Sequence, residues 1–361
     1  MFFTTDYNSI LKKIDLIDPL VYATNRNYID GAVTYLSPYI SRGVISTKQV
    51  LRTVLQKGHP ISAIESFVKE LCWRDYFQRV AQVKNPDLPI RQAQTAVLNY
   101  GIPVAVLQAN TGIAGIDNAI KQLYETGYMH NHCRMYTASL VCNIAKSHWH
   151  NPAQWMYYYL LDADWASNAC SWQWVAGANS HKKYYCNQEN INKYTFINQS
   201  NTYLDCSYEE ITKIAIPDKL INTQTFLPEI NLPETTLVNI DKNVPCFIYN
   251  YYNLDPDWHK NEAGNRILLI DPQHFKKYPI SKRSVDFMLA LSKNIPHIQL
   301  YKGSFTAFIN EFGVDKVYYK EHPFNVEYKG TEESRDWIAE NVSGYYPSFF
   351  NYWNKIKNDI Q

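Results

Sequence analysis

None of the seven cysteines in this chain of 361 residues stands in a CxxC pair. Cys72, Cys133, Cys142, Cys170, Cys186, Cys206 and Cys246 are scattered singly and odd in number, which argues against a disulfide framework and against a zinc or iron–sulfur centre. No HExxH occurs either, and His130 and His132, two apart, would point to different faces of a helix, so no metal site is expected among His130, His132, Cys133, His148 and His150. No stretch is apolar for the roughly 20 residues that a membrane helix needs. The start, MFFTTDYNSILKK, lacks a basic segment followed by a long apolar run. These absences imply a cytoplasmic protein with reduced, buried thiols and no membrane partner. Excess charge is missing as well: 35 Lys and Arg face 34 Asp and Glu, a net charge of +1. Any nucleic-acid partner must therefore be met by a local basic patch.

What the chain has in quantity is aromatic surface: 15% aromatic residues, with 29 Tyr and 9 Trp. Stacking on a flat ligand and a Tyr-rich core would both account for that share. The density peaks between Gly127 and Trp174, GYMHNHCRMYTASLVCNIAKSHWHNPAQWMYYYLLDADWASNACSWQW, a run too polar for an ordinary core and too aromatic for an ordinary surface. It reads as the wall of a pocket.

Taken in order, DYNSILKKIDLID predicts a short amphipathic helix with Asp6 as its cap and Ile10, Leu11, Ile14 and Leu16 or Ile17 on the apolar side. In TYLSPYISRG, Thr34 and Ser37 fall just before or at a helix start, where hydroxyls either cap the helix or help bind a phosphate. In IESFVKELCWRDYFQRVAQV, Phe67, Glu70, Trp73, Arg74 and Phe77 share a helix face. That face suits a flat ring held by an indole, a carboxylate and a guanidinium, or equally an i, i+4 ion pair beside a core Trp. A helix is expected from about Ile116 to Glu125, closed at Gly127. If HNHCRMYTASLVCNIAK is one helix, Cys133, Tyr136, Leu140 and Ile144 face the core, while Asn131, Arg134, Met135 and Ala138 line another side. Further on, Asp162 is a candidate partner for Arg134, and Asp164 and Asn168 stand four apart. Trp172 and Trp174 point to nearly opposite sides.

The series TYLSPYISRG, ELCWRDYF, TGYMHNHCRM, LLDADWASN and SWQW, in this order and spacing, resembles the FAD-binding helical domain of the photolyase and cryptochrome family, over roughly Tyr22 to Thr195. The resemblance implies FAD as cofactor. It assigns Tyr22, Thr34, Leu36 and Ser37 to the FAD pyrophosphate and Arg74 to a second phosphate-side contact. Asn131, Arg134, Asp162, Asp164 and Asn168 fall in the shell around the flavin ring, with Arg134 paired to Asp162 and Asn168 beside ring N5. Glu70, Trp73, Asn131, Met135 and Trp174 match the pocket that takes an extruded pyrimidine dimer, and Trp172 and Trp149 the inner members of the tryptophan chain that conducts electrons to the flavin. Three departures stand out. His132 occupies the place of an arginine that reaches the DNA backbone. No Trp lies between Arg91 and Tyr124, where the outermost Trp of the chain is expected, so Tyr100 or another Tyr would have to substitute. The family's α/β antenna domain does not precede Tyr22.

After Trp174, VAGANSHKKYYCNQENINKYT continues the resemblance, with Lys182, Lys183 and Lys193 as phosphate contacts or plain solvated lysines. Composition then shifts to a proline-punctuated stretch that reads as an extended linker. Beyond it CFIYNYY, RILLID, HIQLYKG and KVYYKEH read as strands, with helical ISKRSVDFMLALSKN and SFTAFINEFG between them, so a parallel α/β layer is expected. RILLIDPQHFKKYPISKRSVDFMLAL resembles, loosely, part of the family's antenna domain. It holds no GxGxxG or Walker loop, and its role is to bind an antenna pigment or to brace the flavin domain. The expectation is thus a mainly α-helical FAD-binding domain over 1–206, a linker over 207–245 and a smaller Rossmann-like α/β domain over 246–361. Two functions compete: a carbon–carbon lyase that splits pyrimidine dimers in DNA under blue light, and a cryptochrome-like photoreceptor that binds FAD without repair and acts through a signalling partner.

Overall fold

The computed structural model describes residues 3–360. It resolves into two compact units that interleave along the chain, one of residues 21–33 with 84–228, the other of residues 3–20 and 34–83 with 229–360.

The first unit is helical. Its main elements are the helices Ala114–Thr126, Asn131–Ser139, His150–Tyr159, Trp165–Val175 and Gln188–Thr195. Local chemistry sets their ends. Gly127 closes the first at φ 72°, in the left-handed region that glycine enters without a Cβ clash. Asp164 and Asn187 cap two others by accepting from the amides of Ser167 and Asn190. The Asn131–Ser139 helix does not run on as one regular helix: it widens into a π-turn, Leu140–Ile144, and Cys133, Tyr136, Leu140 and Ile144 still face the core. Such a turn re-aims the chain beyond it and recurs at functional sites.

The second unit is built on five strands, labelled β1 (Cys246–Tyr249), β2 (Asn265–Ile270), β3 (Ile298–Lys302), β4 (Val317–Lys320) and β5 (Thr331–Glu333). They lie in the order β3-β2-β1-β4-β5, all parallel, with Ile248 opposite Ile267 on one side and Tyr319 on the other. Every residue of β1 and β2 is buried, as a central parallel strand covered on both faces requires. The helices Pro272–Lys277 and Lys282–Ser292 join β2 to β3, and Phe305–Phe312 joins β3 to β4, packing Phe305 and Phe308 onto Cys246, Ile248, Ile267, Leu269 and Val317. Strand order reverses between β1 and β4, the place where open α/β sheets receive ligands. Just past those two strands Tyr252 stacks on His322 at 3.7 Å and meets His274 Nε2 through its hydroxyl at 3.0 Å.

Helices from the first part of the sequence belong to this same unit: Tyr7–Asp15, capped by Asp6 on the Ser9 amide at 2.8 Å, then Thr47–Leu55 and the long Ile61–Val83. One side of the long helix carries Asp75, Tyr76 and Arg79 and is covered by the end of the chain. Asp75 accepts from the Ile338 amide (2.9 Å) and the Thr47 hydroxyl (2.8 Å), Arg79 lies 3.5 Å from the Trp337 ring, and the helix Phe349–Ile356 packs beside Tyr76. Burial raises the Asp75 carboxyl, with Arg335 the largest opposing influence. Among the described residues no helix is long and apolar enough to cross a membrane.

Candidate functional site

In the helical unit the polar side chains of the aromatic run fall on the starts of two helices. Arg134, in the first turn of Asn131–Ser139, donates from Nε to the Met129 carbonyl at 2.8 Å and from Nη2 to both oxygens of Asp162 at 3.1 Å. Nη1 is left without a bond to any described residue. The Asp162 side chain is 5% exposed and that of Arg134 22%, so the pair is mostly withdrawn from water yet reachable from one side. Asp164 is spent in part on capping, its Oδ1 accepting from the Ser167 amide at 2.9 Å. One turn on, Asn168 donates from Nδ2 to the Ala153 carbonyl at 2.8 Å. Since a carbonyl can only accept, that bond settles which end of the amide is which and turns Oδ1 outward as an acceptor. The Ser167 hydroxyl is buried with no partner among the described residues, a donor and acceptor waiting for a ligand.

Asn131 is exposed and reaches Met135 through an Nδ2 to Sδ contact of 3.9 Å. His130 is buried; burial pushes its imidazole down to about 4, and Nε2 lies 3.1 Å from the Arg26 carbonyl. His132 is half-buried against Tyr136 and Tyr194 and is likewise lowered, first by burial and then by Arg26, so it is uncharged near neutrality where a phosphate contact would want a cation. Trp149 and Trp172 are buried, whereas Trp174 is 39% exposed and tilts against Tyr184. Trp172 and Trp174 thus face opposite ways, as their spacing predicts. Tyr22 lies 5.8 Å from the Arg26 guanidinium.

In the second unit Thr34 turns its hydroxyl to the Leu36 amide at 3.4 Å, and the short helix Ser37–Ser41 begins there. Its N-cap is Leu36, which has no hydroxyl, so Ser37 is not used up in capping. Arg74 bonds through Nη2 to Ser41, and Glu70 is half-buried one turn before it on the long helix. The Trp73 ring lies flat against Phe349 of the last helix, centroids 3.9 Å apart and planes 10° from parallel. Phe349 was not anticipated; SFFNYWNKI does carry helical amphipathic spacing, but nothing local names the residue it meets. Among the described residues no three His, Cys, Asp or Glu gather as a metal site.

A helical unit that presents a largely buried arginine–carboxylate pair, an oriented amide and several indoles has the chemistry to hold a large flat ligand. Residues 67–208 match the FAD binding domain of DNA photolyase, a match that covers less than half of the chain and points to FAD as the cofactor of this part. It is 29% identical over 210 residues to the deoxyribodipyrimidine photo-lyase of Alkalihalophilus pseudofirmus, an alignment covering 56% of this chain and 43% of that protein. With the enzyme of the same name from Streptomyces griseus the identity is 30% over 153 residues, covering 41% and 33%. The chain therefore spans less than half the length of these relatives. Among solved structures, a Synechocystis cryptochrome overlays with TM-score 0.48 at 23% identity, covering 54% of this chain and 44% of the other. A Sulfolobus tokodaii photolyase described with two FAD molecules overlays with TM-score 0.44 at 25% identity, covering 52% and 43%.

Proposed function

We propose that this chain is a cytoplasmic blue-light flavoprotein that splits pyrimidine dimers in DNA by passing an electron to a flipped-out lesion. The Arg134–Asp162 pair with its open Nη1 is the observation that carries the flavin part of this reading. An isoalloxazine edge offers carbonyl acceptors to Nη1 and a ring N–H to Asn168 Oδ1, and Ser167 supplies a further hydroxyl, so the residues present fit the group. Bound FAD supplies light absorption and one-electron chemistry. The protein's share is orientation and electrostatics. Arg134 and Asp162 hold each other in place, Asn168 Oδ1 accepts a ring proton, Tyr22, Thr34, Leu36, Ser37 and Arg74 serve the pyrophosphate, and Trp172 and Trp149 carry electrons inward. For repair, Glu70, Trp73, Asn131, Met135 and Trp174 take the lesion, which must leave the duplex and costs least to flip when already poorly stacked. The photolyases among the relatives support DNA as the partner.

One observation favours the second reading, a photoreceptor with FAD but no repair: the Trp73 face that lies against Phe349 is not open to a base. Stacking on an aromatic ring contributes about 1–3 kcal/mol per base. If repair proceeds on Trp73, then Phe349→Ala should tighten binding of dimer-containing DNA by roughly tenfold. Equal affinity in the variant would show that Phe349 does not compete with the lesion. The direct test is a blue-light repair assay on a thymine-dimer oligonucleotide under reducing conditions, after the visible spectrum of the purified protein. Restored thymine establishes repair, flavin bands without repair favour the photoreceptor, and absent flavin bands overturn both. Asn168→Ala should change which flavin redox state accumulates under steady blue light while Arg134 and Asp162 still retain the cofactor. An unchanged spectrum of photoproducts would remove Asn168 from ring N5.

A further inference from the structure

In the helical unit a bulky ring stands where the backbone least favours one. Phe196 closes the helix Gln188–Thr195 at φ 54°, in the left-handed region that a β-carbon disfavours, and it is 62% exposed. Glycine or asparagine is the usual occupant of such a closing position. Burial does not account for the exception, because most of the residue stays in water. The turn is nevertheless firmly held. Asn192 brackets it, donating to the Gln199 carbonyl at 2.7 Å and accepting from the Gln199 amide at 3.3 Å. The Gln199 side chain donates to the Gly112 carbonyl at 2.8 Å and accepts from the Ala114 amide at 2.9 Å. The Ile29 amide donates to the Tyr194 carbonyl at 3.1 Å, which ties residues 28 and 29 to the same turn.

These bonds fix a row of four rings. Phe196 stacks on Tyr28, centroids 5.4 Å apart and planes at 18°; Tyr194 follows at 5.1 Å from Tyr28, and His132 at 5.1 Å from Tyr194. Tyr28, Tyr194 and His132 are half-buried, so each keeps part of its surface in water, and Phe196 ends the row in solvent. Exposed Lys193 holds its ammonium 5.3 Å from the Tyr194 centroid and pairs with no carboxylate among the described residues. At the other end His132 follows Asn131 in the first turn of the helix that also carries Met135, the two residues assigned above to the lesion. A double helix offers a protein phosphates and base edges, with the faces of its bases stacked away. A row of rings offers flat faces and little charge, which suits bases that have no partner. Duplex recognition wants cations, yet the position that the resemblance gives to an arginine is held by His132, which burial keeps uncharged near neutrality.

We propose that the row Phe196, Tyr28, Tyr194 and His132 is a stacking platform for the unpaired bases of single-stranded DNA, with Lys193 meeting a backbone phosphate. This rests on the reading above for its partner, DNA, and adds a site outside the lesion pocket and a preference for the single strand over the duplex. Bases flanking an extruded lesion stack along the row, and Phe196 offers the outermost face. Because Tyr28 backs Phe196 and Gln199 pins the turn, the platform is already in its bound shape and loses little side-chain freedom on binding. Every base has a flat face, so the platform reads no sequence. With one lysine on the row few phosphates are neutralised, and affinity falls only weakly with salt.

The test is fluorescence anisotropy in the dark with the full chain and an undamaged, mixed-sequence DNA oligonucleotide, offered single-stranded and annealed, alongside single-stranded RNA of the same sequence. Two variants accompany the wild type. Phe196→Gly removes the ring at a φ that glycine adopts freely, so folding is not put at risk, and Phe196→Trp keeps a stacking face. Wild type should bind the single strand roughly tenfold more tightly than the duplex, Phe196→Gly should lose roughly tenfold on the strand alone, and Phe196→Trp should retain it. Flavin content and the urea midpoint of Phe196→Gly should not fall. Equal strand affinity in wild type and Phe196→Gly, tighter binding of the duplex, or tighter binding of the RNA each overturns the assignment. Light-dependent repair with strand affinity indifferent to Phe196 overturns the platform alone. Strand binding that depends on Phe196 without repair supports the platform and overturns the repair reading.

Discussion

Replacing Asp162 with asparagine is expected to strip the protein of most of its flavin and to destabilise it by about 3 kcal/mol. The magnitude comes from the group left behind. Arg134 spends Nη2 on both Asp162 oxygens and Nε on the Met129 carbonyl, and its partner is 5% exposed. Asparagine keeps one acceptor and removes the charge, so a guanidinium mostly withdrawn from water loses its counter-ion. Arg134→Lys should cost less in stability but as much in flavin, because an ammonium is a point donor that cannot grip both carboxylate oxygens while presenting a second donor outward. Flavin-to-protein absorbance ratio and urea denaturation would check both. Full flavin content in Asp162→Asn would mean that the pair is only structural.

Acid should weaken the fold well before its carboxylates matter. Burial lowers His130 to about 4 and His274 to about 3, and His132, His148 and His322 move the same way, each with desolvation as the largest cause. The unfolded imidazole titrates near 6.5. Between that value and the folded one, the unfolded chain binds a proton that the folded chain refuses, so stability is complete above about pH 6.5 and is lost as pH falls toward 4. For His130 alone the window corresponds to about 3 kcal/mol. Asp75, Asp255 and Glu332, raised chiefly by burial, act in the opposite sense, since the folded chain then takes up their protons first. Five imidazoles against three carboxyls leave a net loss. The urea midpoint should therefore drop from pH 7.5 through 6 to 5, and less steeply in His130→Gln. A midpoint flat over that range would overturn the account.

Much of the local structure is legible from neighbours in the chain. Asp6 caps the Tyr7–Asp15 helix and Gly127 closes Ala114–Thr126, because caps and left-handed closures are decided by residues three or four apart. Four of the five strands are visible as apolar runs. The fifth, Thr331–Glu333, is three polar residues long, and it is a strand only because β4 lies beside it and supplies the hydrogen-bond ladder. The same limit hid the π-turn at Leu140–Ile144, since no residue type specifies one extra residue per turn.

The sequence by itself determined the chemistry this protein has to work with: Asp164 and Asn168 four apart on a helix, Asp162 as a candidate partner for Arg134, the indoles, the absence of metal-ligand spacing, and a parallel α/β layer after the helices. Periodicity and side-chain type are properties of short stretches, and they survive without the fold. Only the tertiary structure decided how those groups are spent. It interleaved the two units along the chain, laid Phe349 on Trp73 across more than 270 residues of sequence, turned the Asn168 amide by one bond to Ala153, and ran Tyr100 and His148 up to Trp149. Each of these depends on contacts between segments remote in sequence, whose geometry is set by packing the whole chain at once rather than by any local preference.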